Sequence, residues 1–261
     1  MTFSIEQIKE AISILYTSKD EIIRNNAQEF LIQWKNDPSS FEISLALLQD
    51  PTINAQIAFI AGMVIEGFFL FNKNELSLDK MNAAAEVILH FIINNQDKTD
   101  QPSTSKLLLI LSDIILINFD FFSVISHLSP HLVMRIFCYL YEIVNNDEQY
   151  LSTRQFSSRL LLSNWNVLSL AQKHLTEQIP IALKMLLELD IDYYWYELYY
   201  QLFRFYNDFP AYYPLIEKVR QSTFELVCPN QILKLFYLTF QSDLSSADFN
   251  DQQYFKNLID I

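Results

Sequence analysis

The chain has 261 residues, of which 51% are hydrophobic, and a formal net charge of −13 from 18 basic and 31 acidic side chains. That length can bury a large core, and the acidic field repels a phosphate polyanion, which argues against direct nucleic-acid binding and favours partners with basic protein surfaces. Gly62 and Gly67 are its two glycines, so no GxGxxG or GxxxxGK[ST] phosphate loop exists, and an all-helical fold suits so glycine-poor a chain.

Apolar residues at helical spacing, punctuated by Ser, Asp and Asn caps and by proline, predict helices in chain order. They cover 4–17, 20–35, 39–49, 53–71, 77–95, 103–118, 120–128, 130–145, 151–175, 178–189, 191–207, 210–227, 229–241 and 247–259. The first seventy residues set the pattern. Ile5, Ile8, Ile12 and Tyr16 form one amphipathic helix; Ile22, Ile23, Ala27, Phe30, Leu31 and Trp34 form the next. Phe41, Leu45 and Leu48, then Ile53, Phe59, Ile60 and Ala61, repeat the unit. Neither hairpin has enough apolar area to fold alone, so the hairpins must stack.

Asp20, Asp50 and Ser103 or Ser105 each open the second helix of a pair, at an irregular period near forty residues. An aspartate there accepts hydrogen bonds from the unpartnered first N–H groups and meets the positive end of the helix dipole. The spacing of Ile23, Ala27 and Leu31 puts them on one packing face, with the small Ala27 permitting close approach. The stretches 57–71 and 107–117 are very apolar but contain Glu66, Ser112 and Asp113, and both are shorter than the ~20 residues a membrane span requires. They read as buried core helices. The polar run 94–105 reads as an inter-helix loop, so 1–261 is expected to be one domain.

His127 and His131 are four apart, the spacing of a helical metal pair, but Pro130 lies between them and the residue before a proline avoids helical geometry. Asp190, Asp192 and Glu197 read as a solvated helix start. Tyr193, Tyr194, Trp195, Tyr196, Tyr199, Tyr200, Phe203, Phe205 and Tyr206 are interleaved with a single basic residue, Arg204, and read as core packing rather than a stacking surface for bases. His90 and His174 are lone residues. No nucleophile, base or cofactor site emerges. Cys138 and Cys228 stand outside any CxxC pattern, there is no N-x-[ST] sequon and no cleavable apolar leader, and a reducing compartment is expected.

The run Asp20-x2-Ile23-Arg24-x2-Ala27-x3-Leu31 resembles the D-x2-VR-x2-A-x3-L core of a HEAT repeat. The longer series Ala11, Ile14-Leu15-Tyr16, Asp20, Arg24, Ala27, Leu31, Trp34, Leu47-Leu48, Gln56 and Phe59-Ile60-Ala61 is similar to the N-terminus of importin-β-family nuclear transport receptors. The likeness is to the branch containing transportin-SR and importin-thirteen. It continues through Met81, Ala85, Ile88 and Phe91-Ile92, through 106–116 with Asp113 on that branch's L-x-LALADLAL aspartate, and through Phe137, Leu140, Glu142-Ile143 and Asn146-Asp147-Glu148. It covers about residues 5–150.

The resemblance implies a right-handed α-solenoid of HEAT-type hairpins, with room for about six to seven pairs. It further implies a non-catalytic receptor, or its N-terminal part, shared between nucleus and cytoplasm. Residues 1–118 would be the region that binds the small GTPase Ran in its GTP form, on an inner surface built from helices near 20–35, 53–71 and 103–118; residues 119–261 would be further repeats. Arg24, Gln28, Glu66 and Asp113 are the implied candidates for partner-facing or supporting roles. Read from the residues alone, Arg24 is a ladder residue inside the solenoid, and Asp113 hydrogen-bonds a neighbouring repeat to satisfy a costly buried carboxylate. Protein cargo with a basic surface and Phe-Gly peptides of nuclear pore proteins are the other implied partners. Two alternatives remain beside this one: a generic HEAT or armadillo-like adaptor without Ran, and a helical enzyme marked by a converging polar pocket.

Overall fold

The first helix starts because Ser4 and Gln7 form a capping box: the Ser4 hydroxyl accepts from the Gln7 N–H, and the Gln7 side chain accepts from the Ser4 N–H. α1 (Ile5–Thr17) then turns at Asp20, whose carboxylate accepts from the Ile22 and Ile23 N–H groups and opens α2 (Glu21–Lys35). The computed structural model describes residues 3–71, 77–95, 102–145, 153–206 and 208–221, and the elements below belong to those. α3 (Ser40–Gln49), α4 (Ala55–Phe71), α5 (Leu78–Asn94) and α6 (Pro102–Ile117) follow, then a 3₁₀ helix, Phe119–His127. Next come α7 (Pro130–Val144), α8 (Thr153–Asn164), α9 (Leu168–Glu188), α10 (Tyr193–Phe205), a short 3₁₀ turn over Phe209–Tyr212, and α11 (Tyr213–Gln221). No strand occurs among the described residues. The fold is the all-α helical-repeat solenoid expected from the hairpin pattern.

The pairs α1/α2, α3/α4 and α5/α6 stack in chain order: α1 touches both α3 and α4, α3 packs on α5, and α4 packs on α6. Polar contacts between neighbouring pairs carry the repeat length directly. Lys9 reaches Asp50 across 41 residues, Lys106 donates to Glu66 across 40 at 2.8 Å, and Asn118 donates to Asn82 across 36 at 3.2 Å. Lys80 adds an ion pair with Glu42 at 3.6 Å and lies over the Phe68 ring, 5.0 Å from its centroid. The exposed Lys80–Glu42 pair contributes about 0–1 kcal/mol, while the more shielded Lys9–Asp50 and Lys106–Glu66 pairs fix how neighbouring hairpins register. The stabilising term is apolar: Ile8, Ile12, Trp34, Leu47, Ala58, Ala61, Ile65 and Ile88 are all fully buried.

α6 is apolar on every side because it is surrounded, touching α4, α5, α7, α8, α9 and the first 3₁₀ helix. Leu107, Leu108 and every residue from Ile110 to Leu116 are buried, which accounts for its membrane-like hydropathy. Among the described residues no helix is long and apolar enough to cross a membrane.

Several local expectations are corrected. Asp50 does not cap α4. It ends α3, accepts from the Thr52 N–H and hydroxyl and pairs with Lys9, while Asn54 caps α4 by accepting from Ile57. Ser103 and Ser105 lie inside the first turn of α6, which starts at Pro102. The segment 120–128 is 3₁₀, with Asn118 as its cap. The single helix expected over 151–175 is broken at Asn166, which adopts φ 55°. There the Val167 N–H donates to Leu162 and the Asn166 N–H to Ser163, a Schellman termination of α8. Conversely α9 runs through Pro180; that residue is exposed, so the Thr176 carbonyl that loses its i+4 donor sits on the solvent side. The helices expected over 229–241 and 247–259, the end of 210–227 and most of the 94–105 loop lie outside the described residues, as does Cys228.

Candidate partner-binding surface

Four residues were implied as partner-facing or supporting, and the fold distributes them unequally. Arg24 and Gln28 stand one turn apart on α2, both exposed, along the edge of the buried stripe of Ala27, Leu31 and Trp34. Glu66 is held by Lys106 at 2.8 Å, with the two side chains 14% and 19% accessible, so it ties α4 to α6. Asp113 is 3% accessible and sits in the middle of α6 among Leu111, Ile114 and Ile115. The structure brings Arg24 and Gln28 together and places Glu66 and Asp113 elsewhere, one in an inter-repeat contact and one in the core.

The face formed by α4 and α6 is partly taken by the chain itself. α8 packs against α4, α6, α7 and α9. It does so through buried Ser157, Ser158, Leu161 and Leu162, and Gln155 donates to Glu142 of α7. Arg159 donates to the carbonyls of Ile143 and Val144 at 3.2 and 3.1 Å, which places a cation at the negative end of α7. Of the second-of-pair helices in the first three repeats, α4 and α6 are the two that α8 packs against.

A different feature of the first hairpin was not anticipated. A groove of about 320 Å³ runs between α1 and α2, lined by Gln7, Glu10, Ala11, Ile14, Ile23, Asn26, Ala27 and Phe30. Ile23, expected to pack inward with Ala27 and Leu31, is 47% exposed, and Ile22 and Ile32 on the same helix are 72% and 50% exposed. The signal was present as a second stripe, 7, 11, 14 on α1 and 23, 27, 30 on α2. α2 simply has more apolar positions than its inward face can use.

The sites of chemistry considered from sequence resolve into structure. His127 ends the 3₁₀ helix and His131 lies in the first turn of α7, where its Nδ1 is 3.1 Å from Asp192. Asp192 caps α10, accepting from the Trp195 N–H at 2.7 Å. Of the aromatic stripe, Trp195, Tyr196, Tyr199 and Phe203 are buried, and Trp195 donates its indole N–H to the Leu186 carbonyl. Tyr212 packs edge-on against Tyr199 and Phe203. The stripe is core. Burial pushes the Cys138 thiol well up, which removes it as a nucleophile. The Tyr141 phenol, also pushed up by burial, donates to the Leu175 carbonyl at 3.0 Å. Among the described residues no group of three or more His, Cys, Asp or Glu side chains is placed to hold a metal ion. Comparison with known proteins assigns no family: no family model matches the chain, and neither does any curated protein.

Proposed function

We propose that the chain is a non-catalytic helical-repeat scaffold that binds basic protein surfaces, in the manner of the N-terminal part of a nuclear transport receptor, with Ran in its GTP form as the first partner. The observation that carries this reading is the exposed Arg24–Gln28 face of α2, at the end of the solenoid where the resemblance puts the Ran-binding repeats. The net charge of −13 supports basic protein cargo as the second partner. Such a receptor would work in both nucleus and cytoplasm, with Ran altering cargo affinity by linked binding.

The test is a pull-down with purified Ran loaded with a non-hydrolysable GTP analogue or with GDP. Retention of the GTP form alone, weakened by Arg24→Ala with Gln28→Ala, is the expected result. Equal retention of the two forms, or none, counts against it. One observation favours a second reading, an adaptor of the same fold without Ran: α8 lies across α4 and α6, where a Ran-binding face would continue.

A further inference from the structure

We infer that the groove between α1 and α2 is a docking site for an amphipathic helix of a partner protein whose polar face is basic. The argument starts from the interior of the stack. Where hairpins meet, small residues floor the contact: Ala58, Ala61 and Gly62 on α4, Ala84 and Ala85 on α5, all buried. At Gly62 a Cβ would stand 3.0 Å from Lys106 Cγ, so the missing side chain is what lets α6 come close. The α1/α2 groove has the same construction with no helix of the described chain seated in it. Ala11 and Ala27 are its small residues, and Ile14, Ile23 and Phe30 its apolar walls.

The length of the groove sets the occupant. From Gln7 to Ile14 an α-helix rises about 10 Å, so roughly two turns of a partner helix fill it, with anchors at i, i+3 or i+4, and i+7. Charge sets its sign. Glu10 is the one ionisable residue lining the groove and makes no ion pair among the described residues, while Gln7 and Asn26 offer amides at the rim. A second copy of this chain would bring another −13 to the contact, which disfavours self-association and favours a Lys- or Arg-bearing helix. Neither Arg24 nor Gln28 lines the groove, so the site stands or falls separately from Ran binding.

The probe is a fluorescein-labelled designed peptide of about sixteen residues, Leu at i, i+3, i+4 and i+7 and Lys on the flanks, with a Glu-flanked copy as comparator. Fluorescence anisotropy on the full chain is expected to show saturable binding of the Lys probe. Ile23→Glu is expected to weaken it at least tenfold, and Leu170→Glu on α9 to leave it unchanged. Ile23 and Leu170 are both about half exposed, so neither substitution threatens the core, and helical circular dichroism verifies folding. Glu10→Lys should reverse the preference between the Lys and Glu probes, which diffuse attraction to an acidic protein would not do. Equal binding by wild type and Ile23→Glu overturns the proposal. So does sedimentation showing a wild-type dimer that Ile23→Glu dissolves, since the occupant would then be a second copy.

Discussion

The two glycines lie five residues apart on α4 and should respond differently to alanine. In a helix interior Gly→Ala gains about 1 kcal/mol from backbone entropy. At Gly67 nothing opposes that gain: the added Cβ meets only Lys35 Cε, at 3.9 Å, an ordinary contact. At Gly62 the same Cβ falls 3.0 Å from Lys106 Cγ and 3.3 Å from Leu107 Cδ2. Leu107 is fully buried, and Lys106 is anchored through its ion pair with Glu66, so neither yields freely. Overpacking of this kind costs about 1–3 kcal/mol, which leaves Gly62→Ala between about neutral and 2 kcal/mol destabilised. Urea unfolding followed by helical circular dichroism measures the pair. Gly67→Ala should raise stability by about 1 kcal/mol, or roughly 2–4 °C in Tm for a domain of this size. If Gly62→Ala is as stabilising as Gly67→Ala, the close approach of α4 and α6 is not what the glycine serves, and the argument for small-floored helix grooves fails with it.

Two further substitutions probe local devices that the fold depends on. Asn166 at φ 55° terminates α8, so Asn166→Ala should cost about 1 kcal/mol in thermal unfolding while Asn166→Gly costs nothing; equal losses would mean that the turn is not held by its backbone angle. The Lys9 ammonium, together with the Thr52 hydroxyl and N–H, holds the Asp50 carboxyl well below the usual carboxylate range. A depressed folded-state value means that this carboxylate's contribution is present above the unfolded value and lost as pH falls through and below about 4. The stability gap between wild type and Asp50→Asn should therefore be widest near neutrality and should close in acid; a gap that does not change with pH would remove Asp50 from the account.

What could be read in the sequence is what local chemistry encodes. Asp20 and Asp192 open their helices because a carboxylate next to a free N–H is favourable wherever the chain goes afterwards. Likewise the run 107–116, apolar but for Ser112 and Asp113, is buried at every position except the half-buried Leu109. What could not be read depends on partners distant in the chain. Asp50 looks like Asp20 in sequence but is claimed by Lys9 from another hairpin, and the cap passes to Asn54. Asn166 carries no periodic signal, since one residue in a left-handed conformation divides two helices whose apolar patterns run on either side. Ile23 has the spacing of a core residue, yet it lines an open groove between α1 and α2 and stays 47% exposed.

The same distinction decides which candidate residues can meet a partner. Glu66 and Asp113 are candidates that the resemblance implies, but long-range packing has already assigned them, one to Lys106 and one to the interior of α6. α8 reinforces this by occupying part of the α4/α6 face, tied to α7 by Gln155 and Arg159. A partner seeking that face must displace α8 and leave the Arg159 guanidinium and the last carbonyls of α7 to water. Hydrogen bonds to a charged group contribute about 1.5–3 kcal/mol each, so the displacement costs a partner on the order of a hundredfold or more in affinity before any new contact is made. Arg24, Gln28 and the α1/α2 groove carry no such penalty. Binding is therefore expected to begin at the first hairpin, and a partner that extends onto α4 and α6 should leave α8 exposed to proteolysis when bound.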